Sequence, residues 1–262
     1  MAARPGTRRG TRTGTGQGSG TGPAPRIAPR AGRVRRPRAA SAPLVAFALA
    51  ALAHLTALLA GSAVATVTKP ALMPLLAAHV LARGGPRTLA GALLLGCGGD
   101  TLLLIGGDTP FLLGMAFFAA GHVCYLLLCA RHGTPGGRRT YGLGGVYAVA
   151  WLGTVALLWP DLEPGLRVPV ALYSLLLTAM ALGASRVRPR TGAGGLLFLA
   201  SDTLIASGAA DWPQPPVPQF WIMLGYLPAQ LLLVDGLLRA APRGPAGAEP
   251  PARAYGAVRT TP

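Results

Sequence analysis

Apolar residues occur in eight long stretches, and short polar segments separate them. Each stretch has about the 17–25 residues that a helix needs to cross the roughly 30 Å hydrocarbon layer of a membrane. Only helices and closed barrels satisfy their backbone polar groups in lipid, and long apolar runs without alternation are typical of helices. The pattern predicts an all-α, polytopic membrane protein with eight transmembrane helices. The predicted spans are approximately 44–61, 64–82, 88–105, 111–130, 141–159, 166–184, 193–209 and 218–238.

Composition agrees with this prediction. Hydrophobic residues make up 51% of the chain and charged residues 12%, with a mean hydropathy of +0.46. Charged residues make up about a quarter of an ordinary soluble domain, so that class is excluded. The formal net charge of +16 does not indicate a nucleic-acid partner, because ten of the 24 basic residues lie in residues 1–43 and most others in short loops. The basic residues report membrane topology instead.

Both ends of the chain have a different composition from the middle. Residues 1–43 are rich in Arg, Gly, Thr and Pro, and residues 239–262 return to Ala, Pro, Gly and Arg. Such segments bury too little surface to offset their ordering entropy. We expect two disordered cytoplasmic tails flanking a transmembrane domain at 44–238. A targeting function of the Arg-rich, acid-poor first tail is an alternative, and this tail should attract anionic lipid headgroups.

Arginines concentrate in alternate loops, which predicts the orientation of the bundle. Short cytoplasmic loops keep an excess of Lys and Arg. The second, fourth and sixth loops carry Arg83, Arg87, Arg131, Arg138, Arg139, Arg186, Arg188 and Arg190. The opposite loops carry Asp108, Asp161, Glu163 and Asp211. We therefore expect both termini in the cytoplasm and a multi-pass protein of the cell membrane.

The third and seventh stretches resemble each other. Asp100-Thr101-Leu102 matches Asp202-Thr203-Leu204, and the flanking leucines and glycines align as well. Four helices separate the two segments, which suggests a 4+4 parallel repeat about an axis along the membrane normal. Such a repeat would bring Asp100 and Asp202 together near its pseudo-twofold axis.

Three ionisable side chains lie well inside predicted spans, namely Asp100, Asp202 and His122, and Lys69 lies five residues into the second span. A charge at the centre of a membrane helix costs about 2.5–3.5 kcal/mol on insertion scales, so these groups should face the bundle interior. Lys69 is the only lysine in the chain, beside 23 arginines. Its compact ammonium differs chemically from guanidinium, although snorkelling to the headgroups is an alternative.

Two interpretations of the aspartates remain open at this stage. In the first, they clamp helices together, each carboxylate pairing with Lys69 or accepting a hydrogen bond from Ser201, Thr101 or Thr203. In the second, they form a catalytic pair in which one carboxyl is protonated as the acid and the other is ionised as the base.

Other polar residues within the spans are candidates for supporting roles. His122 has Tyr125 one turn further on, and the two side chains are predicted to interact. Gln230 follows Tyr226 by one turn and offers an amide in an apolar bundle, with Pro228 loosening the backbone between them. His54 and His79 have no polar company at helical spacing and are interpreted as structural. Asp235 and Arg239 are spaced for a surface ion pair.

Metal and disulfide chemistry are not indicated. Cys97, Cys124 and Cys129 show no CxxC spacing and cannot all pair with one another, so they are predicted to be buried thiols. A zinc ion held by His122 and the two aspartates is an alternative, but no HxxxH or HxxE spacing supports it. We predict no metal and no cofactor.

Several short segments together resemble the YhhN-like membrane family, whose animal members are lysoplasmalogenases. The resemblance covers roughly residues 44–238. Its segments are Thr68-Lys69-Pro70, Met73-Pro74-Leu75-Leu76, Gly99-Asp100-Thr101-Leu102-Leu103-Leu104, Phe111 with Gly114 and Gly121-His122, Ser201-Asp202, and Tyr226 with Ala229-Gln230. Gly98-Gly99 and Pro228 depart from the family pattern and put the local helix shape in doubt.

The resemblance implies hydrolysis of the vinyl-ether bond of a lysoplasmalogen, giving a fatty aldehyde and a glycerophospho-ethanolamine or -choline. It implies that Asp100 and Asp202 are the two intramembrane catalytic aspartates and that Lys69 is the family's lysine. The remaining candidates for substrate binding or support of the aspartates are His122, Ser201, Tyr226 and Gln230. The expected partners are a lysophospholipid substrate and membrane lipid.

Two other classes of function remain possible on the sequence alone. Buried Asp, Lys and His on helices that contain proline would also suit a small-solute or proton-coupled transporter. A transporter needs access from both faces of the membrane, whereas a lipid hydrolase needs a lateral opening and one polar pocket. A lipid-binding or structural membrane protein without turnover is the third possibility.

Overall fold

A computed structural model describes residues 41–241, and all regular structure in this part of the chain is α-helical. Eight helices are present, and each is long and apolar enough to cross a membrane. They are α1 (Ala42–Leu59), α2 (Val64–Ala82), α3 (Arg87–Ile105), α4 (Asp108–His132), α5 (Arg138–Leu158), α6 (Pro164–Ser185), α7 (Pro189–Ala209) and α8 (Pro218–Ala240). The prediction of an all-α, eight-span membrane protein is confirmed.

The helix boundaries lie within a few residues of the predicted ones. The helical domain starts at Ala42 and ends at Ala240, where 44 and 238 were predicted. The two predicted disordered tails otherwise lie outside the described residues. The cytoplasmic location of both termini stays a prediction.

Short connections force sequential helices to run antiparallel. Only Gly106 and Gly107 separate α3 from α4, and both have a positive φ, at 76° and 87°. Glycine adopts this conformation without steric cost, whereas a side chain at either position would be strained. The tight connection places Asp100, near the end of α3, beside the first turns of α4.

Helices that are adjacent in sequence pack together, apart from α4 and α5, and the packing is most extensive for α3 with α4 and α7 with α8. In addition α4 packs against α6, whereas the one substantial contact of α5 among the described helices is with α6. The same pairs are neighbours in both halves of the chain, but the α4–α6 packing has only a weak counterpart between α8 and α2. The 4+4 repeat therefore stays a prediction.

Small residues allow the closest helix approaches. A Cβ atom added to Gly99 would lie 2.6 Å from the ring of Phe118 and 3.0 Å from the carbonyl oxygen of Gly114 on α4. On α7, a Cβ atom added to Gly195 would lie 2.9 Å from Cα of Ala181 on α6. Membrane helices associate through such small-residue contacts because lipid supplies no hydrophobic driving force between them. The glycine before Asp100, which departs from the family pattern, thus has a packing role.

A hydrogen bond to a backbone carbonyl that has no donor within its own helix joins α2 to α3. Pro74 has no N–H to donate to the carbonyl of Pro70, one turn earlier. The thiol of Cys97 on α3 donates to that carbonyl instead, with an S···O distance of 3.2 Å. This contact holds the two helices side by side next to Lys69. All three cysteines are free, Cys129 buried as predicted and Cys97 and Cys124 only half-buried.

Candidate active site

A cavity of about 430 Å³ lies inside the bundle near one end. This end, which we call the acidic end, holds the α1–α2, α3–α4, α5–α6 and α7–α8 connections, with Asp108, Asp161, Glu163 and Asp211. The cavity, called the polar cavity below, has walls of apolar side chains and a set of polar side chains from five helices. The polar set includes His54, Thr66, Lys69, Asp100, Ser201, Asp202, Gln219 and Tyr226.

The structure brings five of the seven predicted site residues to this cavity. Asp100 and Asp202 lie five and seven residues before the ends of α3 and α7, and Lys69 lies five residues after the start of α2. At 1.5 Å per residue, all three are roughly 7–11 Å below the acidic end. Ser201 and Tyr226 also line the cavity, whereas His122 and Gln230 do not.

Lys69 forms an ion pair with Asp100. Its Nζ lies 3.7 Å from Oδ1 of the aspartate, and the two side chains are 8% and 5% exposed. The snorkelling alternative for Lys69 is therefore wrong, because the ammonium points into the bundle. Each charge of a buried pair needs the other, since an unpaired charge in a low-dielectric site is strongly unfavourable.

Asp202 has a different partner, the hydroxyl of Tyr173 on α6. This hydroxyl donates a hydrogen bond to Oδ2 of Asp202. The oxygen of the same hydroxyl lies 3.1 Å from Nε2 of His122, so the three side chains form a hydrogen-bonded chain. His122 thus lies behind the cavity and is connected to Asp202 through Tyr173. Tyr173 is not among the residues predicted from the sequence, and only its polar tip inside an apolar span could have indicated it.

The two carboxyl groups are close enough to interact electrostatically. The predicted hydroxyl partners of the aspartates are wrong, because those hydroxyls bond to backbone carbonyls. Thr101 donates to Cys97 at 2.8 Å and Thr203 to Leu199 at 2.7 Å, each within its own helix. Ser201 donates to Ile222 on α8 at 3.0 Å. The carboxyl oxygens are therefore left for Lys69, Tyr173 and the cavity itself.

Three buried polar atoms around the cavity make no hydrogen bond to another described residue. They are Oδ2 of Asp100, the hydroxyl oxygen of Tyr226 and Nε2 of His54. Tyr226 interacts electrostatically with Asp100, although without hydrogen-bond geometry. Buried polar groups nearly always have a partner, so such a cluster is typical of a site that binds water or a polar ligand.

His54 belongs to this site, although it was interpreted as structural. Its Nδ1 lies 2.9 Å from Oγ1 of Thr68, and that hydroxyl donates to the carbonyl of Val64. Nδ1 therefore carries the proton, which makes Nε2 a hydrogen-bond acceptor at the cavity wall. The partner residue is fourteen positions away on another helix, and spacing within one helix gave no signal for it.

Aromatic rings pack together next to the cavity, on the side away from the acidic end. Phe198 packs edge-on against both His122 and Tyr226, with ring centroids 4.7 and 5.3 Å apart, and Phe118 packs against Tyr226 at 6.2 Å. Next to these rings, Tyr125 donates to Oε1 of Gln230 at 2.5 Å. The predicted His122–Tyr125 interaction is wrong, because the two side chains point to α6 and α8.

The described residues do not assemble a metal-binding group. Within residues 41–241, no three His, Cys, Asp or Glu side chains lie close enough together to hold an ion. The zinc alternative required His122 beside both aspartates, but its Nε2 faces Tyr173. The predicted surface pair between Asp235 and Arg239 is present at 2.8 Å, far from the cavity.

The described residues thus form a bundle of eight helices long and apolar enough to cross a membrane, with two aspartates and a lysine lining one internal cavity, which defines a polytopic membrane protein with a buried polar site. The model of the YhhN family matches residues 64–237, from α2 to α8, and the chain belongs to this family. No solved structure matches the chain.

Curated relatives carry a specific name. The chain is 36% identical over 145 residues to the lysoplasmalogenase TMEM86B of Sus scrofa. The aligned region covers 55% of this chain and 61% of the relative. It is 33% identical over 157 residues to the protein of that name from Homo sapiens, covering 60% and 66%. The chain is 31% identical over 181 residues to the protein of that name from Rattus norvegicus, and the aligned region covers 66% of this chain and 71% of the relative. The chain thus spans less than two thirds of the length of the first two relatives.

Proposed function

We propose that this protein is a lysoplasmalogenase-like hydrolase of the cell membrane. It cleaves the vinyl-ether bond of a lysoplasmalogen and releases a fatty aldehyde and a glycerophospho-ethanolamine or -choline. The observation that carries the proposal is the pair Asp100 and Asp202, which lie in one buried cavity with Lys69 in a chain of the YhhN family. The name of the three curated relatives supports the choice of substrate.

The reaction requires few groups. An acid protonates the vinyl carbon that is not bonded to oxygen, which gives an oxocarbenium ion. Water adds to the cationic carbon and loses a proton to a base, and the resulting hemiacetal collapses to the aldehyde and the free glycerol hydroxyl. Oxocarbenium chemistry in glycoside hydrolysis is likewise performed by two carboxyl groups, one acting as acid and one as base or charge stabiliser.

The different partners of the two aspartates suggest their roles. Asp100 lies beside the ammonium of Lys69, so we assign it the carboxylate that stabilises the oxocarbenium ion and accepts a proton from water. We assign Asp202 the proton donor. Tyr173 donates to Oδ2 of Asp202, which leaves Oδ1 to carry the transferred proton.

The test is aldehyde release from lysoplasmenyl-ethanolamine by purified protein in detergent. Wild type should release aldehyde and should leave the saturated alkyl-ether analogue intact. Asp100→Asn and Asp202→Asn should each lower kcat by roughly 10²–10⁴-fold, because the amide keeps the shape of the side chain and loses proton transfer.

A matched control is Asp211→Asn. This aspartate is exposed at the same end of the bundle, outside the cavity, and its φ of 55° is a conformation that asparagine tolerates. It should retain wild-type activity. Full activity in either cavity variant would refute the acid-pair mechanism, and no release from folded wild type would favour transport or lipid binding.

A further inference from the structure

A second cavity, which we call the apolar cleft, lies between α4, α5, α6 and α7. Its walls are mainly aliphatic and aromatic side chains, among them Met115, Val155, Trp159, Val170, Leu177 and Ala206. It extends along α6 at least from Arg167 to Leu177, a distance of roughly 15 Å at 1.5 Å per residue. The cleft is thus narrow and elongated along α6, with a volume of about 70 Å³.

The polar side chains of the apolar cleft, apart from Tyr173 and Asp202, have their hydrogen bonds elsewhere. Thr154 and Thr203 donate to carbonyls of their own helices. Ser174 accepts from the indole of Trp151 and donates to a carbonyl on α6. Arg167 donates to two carbonyls of the α5–α6 connection. A ligand in the cleft therefore meets hydrocarbon surfaces and satisfied polar groups.

The apolar cleft and the polar cavity share a wall. Leu103, Phe111, Phe118, Asp202 and Ile205 line both of them. Asp202 thus faces both spaces, whereas Asp100 and Lys69 line only the polar cavity. The two spaces together fit a ligand with one polar and one apolar end.

The packing of α5 provides lateral access. Because its one substantial contact is with α6, it does not seal the cleft against α4. Its outward face carries apolar side chains that suit contact with lipid, such as Val146, Val149 and Leu152. Entry between α4 and α5 would let a membrane lipid reach the cleft without leaving the hydrocarbon layer.

We propose that the apolar cleft binds the hydrocarbon chain of a single-chain phospholipid. The proposal rests on the function proposed above and adds the position of the substrate. The polar headgroup occupies the polar cavity, where Tyr226 and His54 present buried polar atoms without a hydrogen bond, and the chain lies in the apolar cleft. The bond that joins chain and headgroup then lies at the shared wall, next to Asp202. Chain length becomes a specificity determinant that Ala171, Ala206 and their neighbours control.

The first experiment narrows the cleft. Ala171 on α6 and Ala206 on α7 line it, whereas Ala179 on α6 is exposed to the surroundings. Ala171→Phe and Ala206→Phe should lower binding of a long-chain, non-hydrolysable alkyl-ether lysophosphoethanolamine by roughly tenfold or more, the scale on which apolar pockets discriminate chain size. Binding of a short-chain analogue should be unchanged, and Ala179→Phe should bind both as wild type does.

Binding is measured by displacement of a fluorescent lysolipid, and thermal unfolding in detergent shows that each variant is folded. Equal long-chain affinity in the two cleft variants and in Ala179→Phe would overturn the proposal. These results do not depend on turnover. If wild type binds the lipid in the cleft but releases no aldehyde, the proposed function fails and the binding site stands.

The second experiment uses the wild-type protein, so it does not depend on the folding of any variant. An alkyl-ether lysophosphoethanolamine with a diazirine near the end of its chain is photo-crosslinked to the protein. Crosslinks that excess unlabelled lipid suppresses should map to Val155, Ala171 and Ser174. Suppressible crosslinks confined to outward-facing positions such as Leu172 would refute a chain site in the cleft.

Discussion

The two halves of the site contain the same tripeptide in different surroundings. Asp100-Thr101-Leu102 on α3 and Asp202-Thr203-Leu204 on α7 lie near the ends of their helices at similar depth, and both aspartates line the polar cavity. The carboxyl on α3 pairs with an ammonium, whereas the one on α7 accepts a hydrogen bond from a phenol. The first is buried, and the second is partly exposed where the polar cavity meets the apolar cleft.

The local sequence around each aspartate therefore does not determine which group its carboxyl contacts. The partner comes from another helix in both cases, α2 for Asp100 and α6 for Asp202. A pair of identical groups can divide acid and base roles when their environments differ. Variants that change one environment at a time test this division.

The largest effect is expected from Lys69→Met. The change leaves the Asp100 carboxylate buried without its cation, which destabilises the fold by about 3–5 kcal/mol and removes activity. The double variant Lys69→Met/Asp100→Asn should regain most of the lost stability and none of the activity. Denaturant unfolding in mixed micelles gives the coupling free energy between the two residues. Stability losses that simply add would show that the pair does not interact.

A smaller effect is expected from Tyr173→Phe. Without the hydroxyl, Oδ2 of Asp202 and Nε2 of His122 both lose a hydrogen bond, which should weaken transition-state stabilisation by about 1–3 kcal/mol, or roughly 5–150-fold in kcat. The pH–rate profile should change as well, because a positioning residue acts through Asp202. Tyr141→Phe, at an exposed tyrosine, is the control and should match wild type in both measurements. An unchanged profile in Tyr173→Phe would remove Tyr173 from the mechanism.

The smallest effects concern the residues that precede the aspartates. Gly99→Ala should destabilise the fold by about 1–3 kcal/mol, because the new Cβ meets Phe118 and the backbone of Gly114. Ser201→Ala should remove one interhelical hydrogen bond, worth about 0.6 kcal/mol on average in membrane proteins. Gly91→Ala, in open space on α3, should be neutral or slightly stabilising. Thermal unfolding that reverses this order would refute the packing difference between the two sites.

The fold was predictable because lipid imposes a simple rule on length and polarity. Every predicted span corresponds to a helix, and the boundaries differ by at most four residues, as for the seventh helix, which starts at Pro189 instead of 193. The longer extensions at helix starts begin with Asp, Arg or Pro, at Asp108, Arg138, Pro164 and Pro189. Such residues do not contribute to an apolar run but are accommodated in the first turn of a helix.

Only site residues whose charge is unfavourable in lipid could be predicted from the sequence. Asp100, Asp202 and Lys69 stood out because a charge in an apolar span needs a reason. Tyr173 and His54 did not, since a helix in lipid is apolar on all sides and its periodicity does not show which face points inward. His122 and Tyr125 share one face of α4 by spacing, yet each bonds to a different neighbouring helix.

The depth of the polar cavity has a consequence for lipid supply. The aspartates lie roughly 7–11 Å below the acidic end, so the polar cavity lies in the half of the bundle next to that end. Under the proposed lipid binding, a single-chain lipid in the far leaflet would first have to cross the membrane to reach it. In sealed vesicles, the accessible pool would then be the lipid of the near leaflet, and transbilayer exchange would limit turnover once that pool is spent.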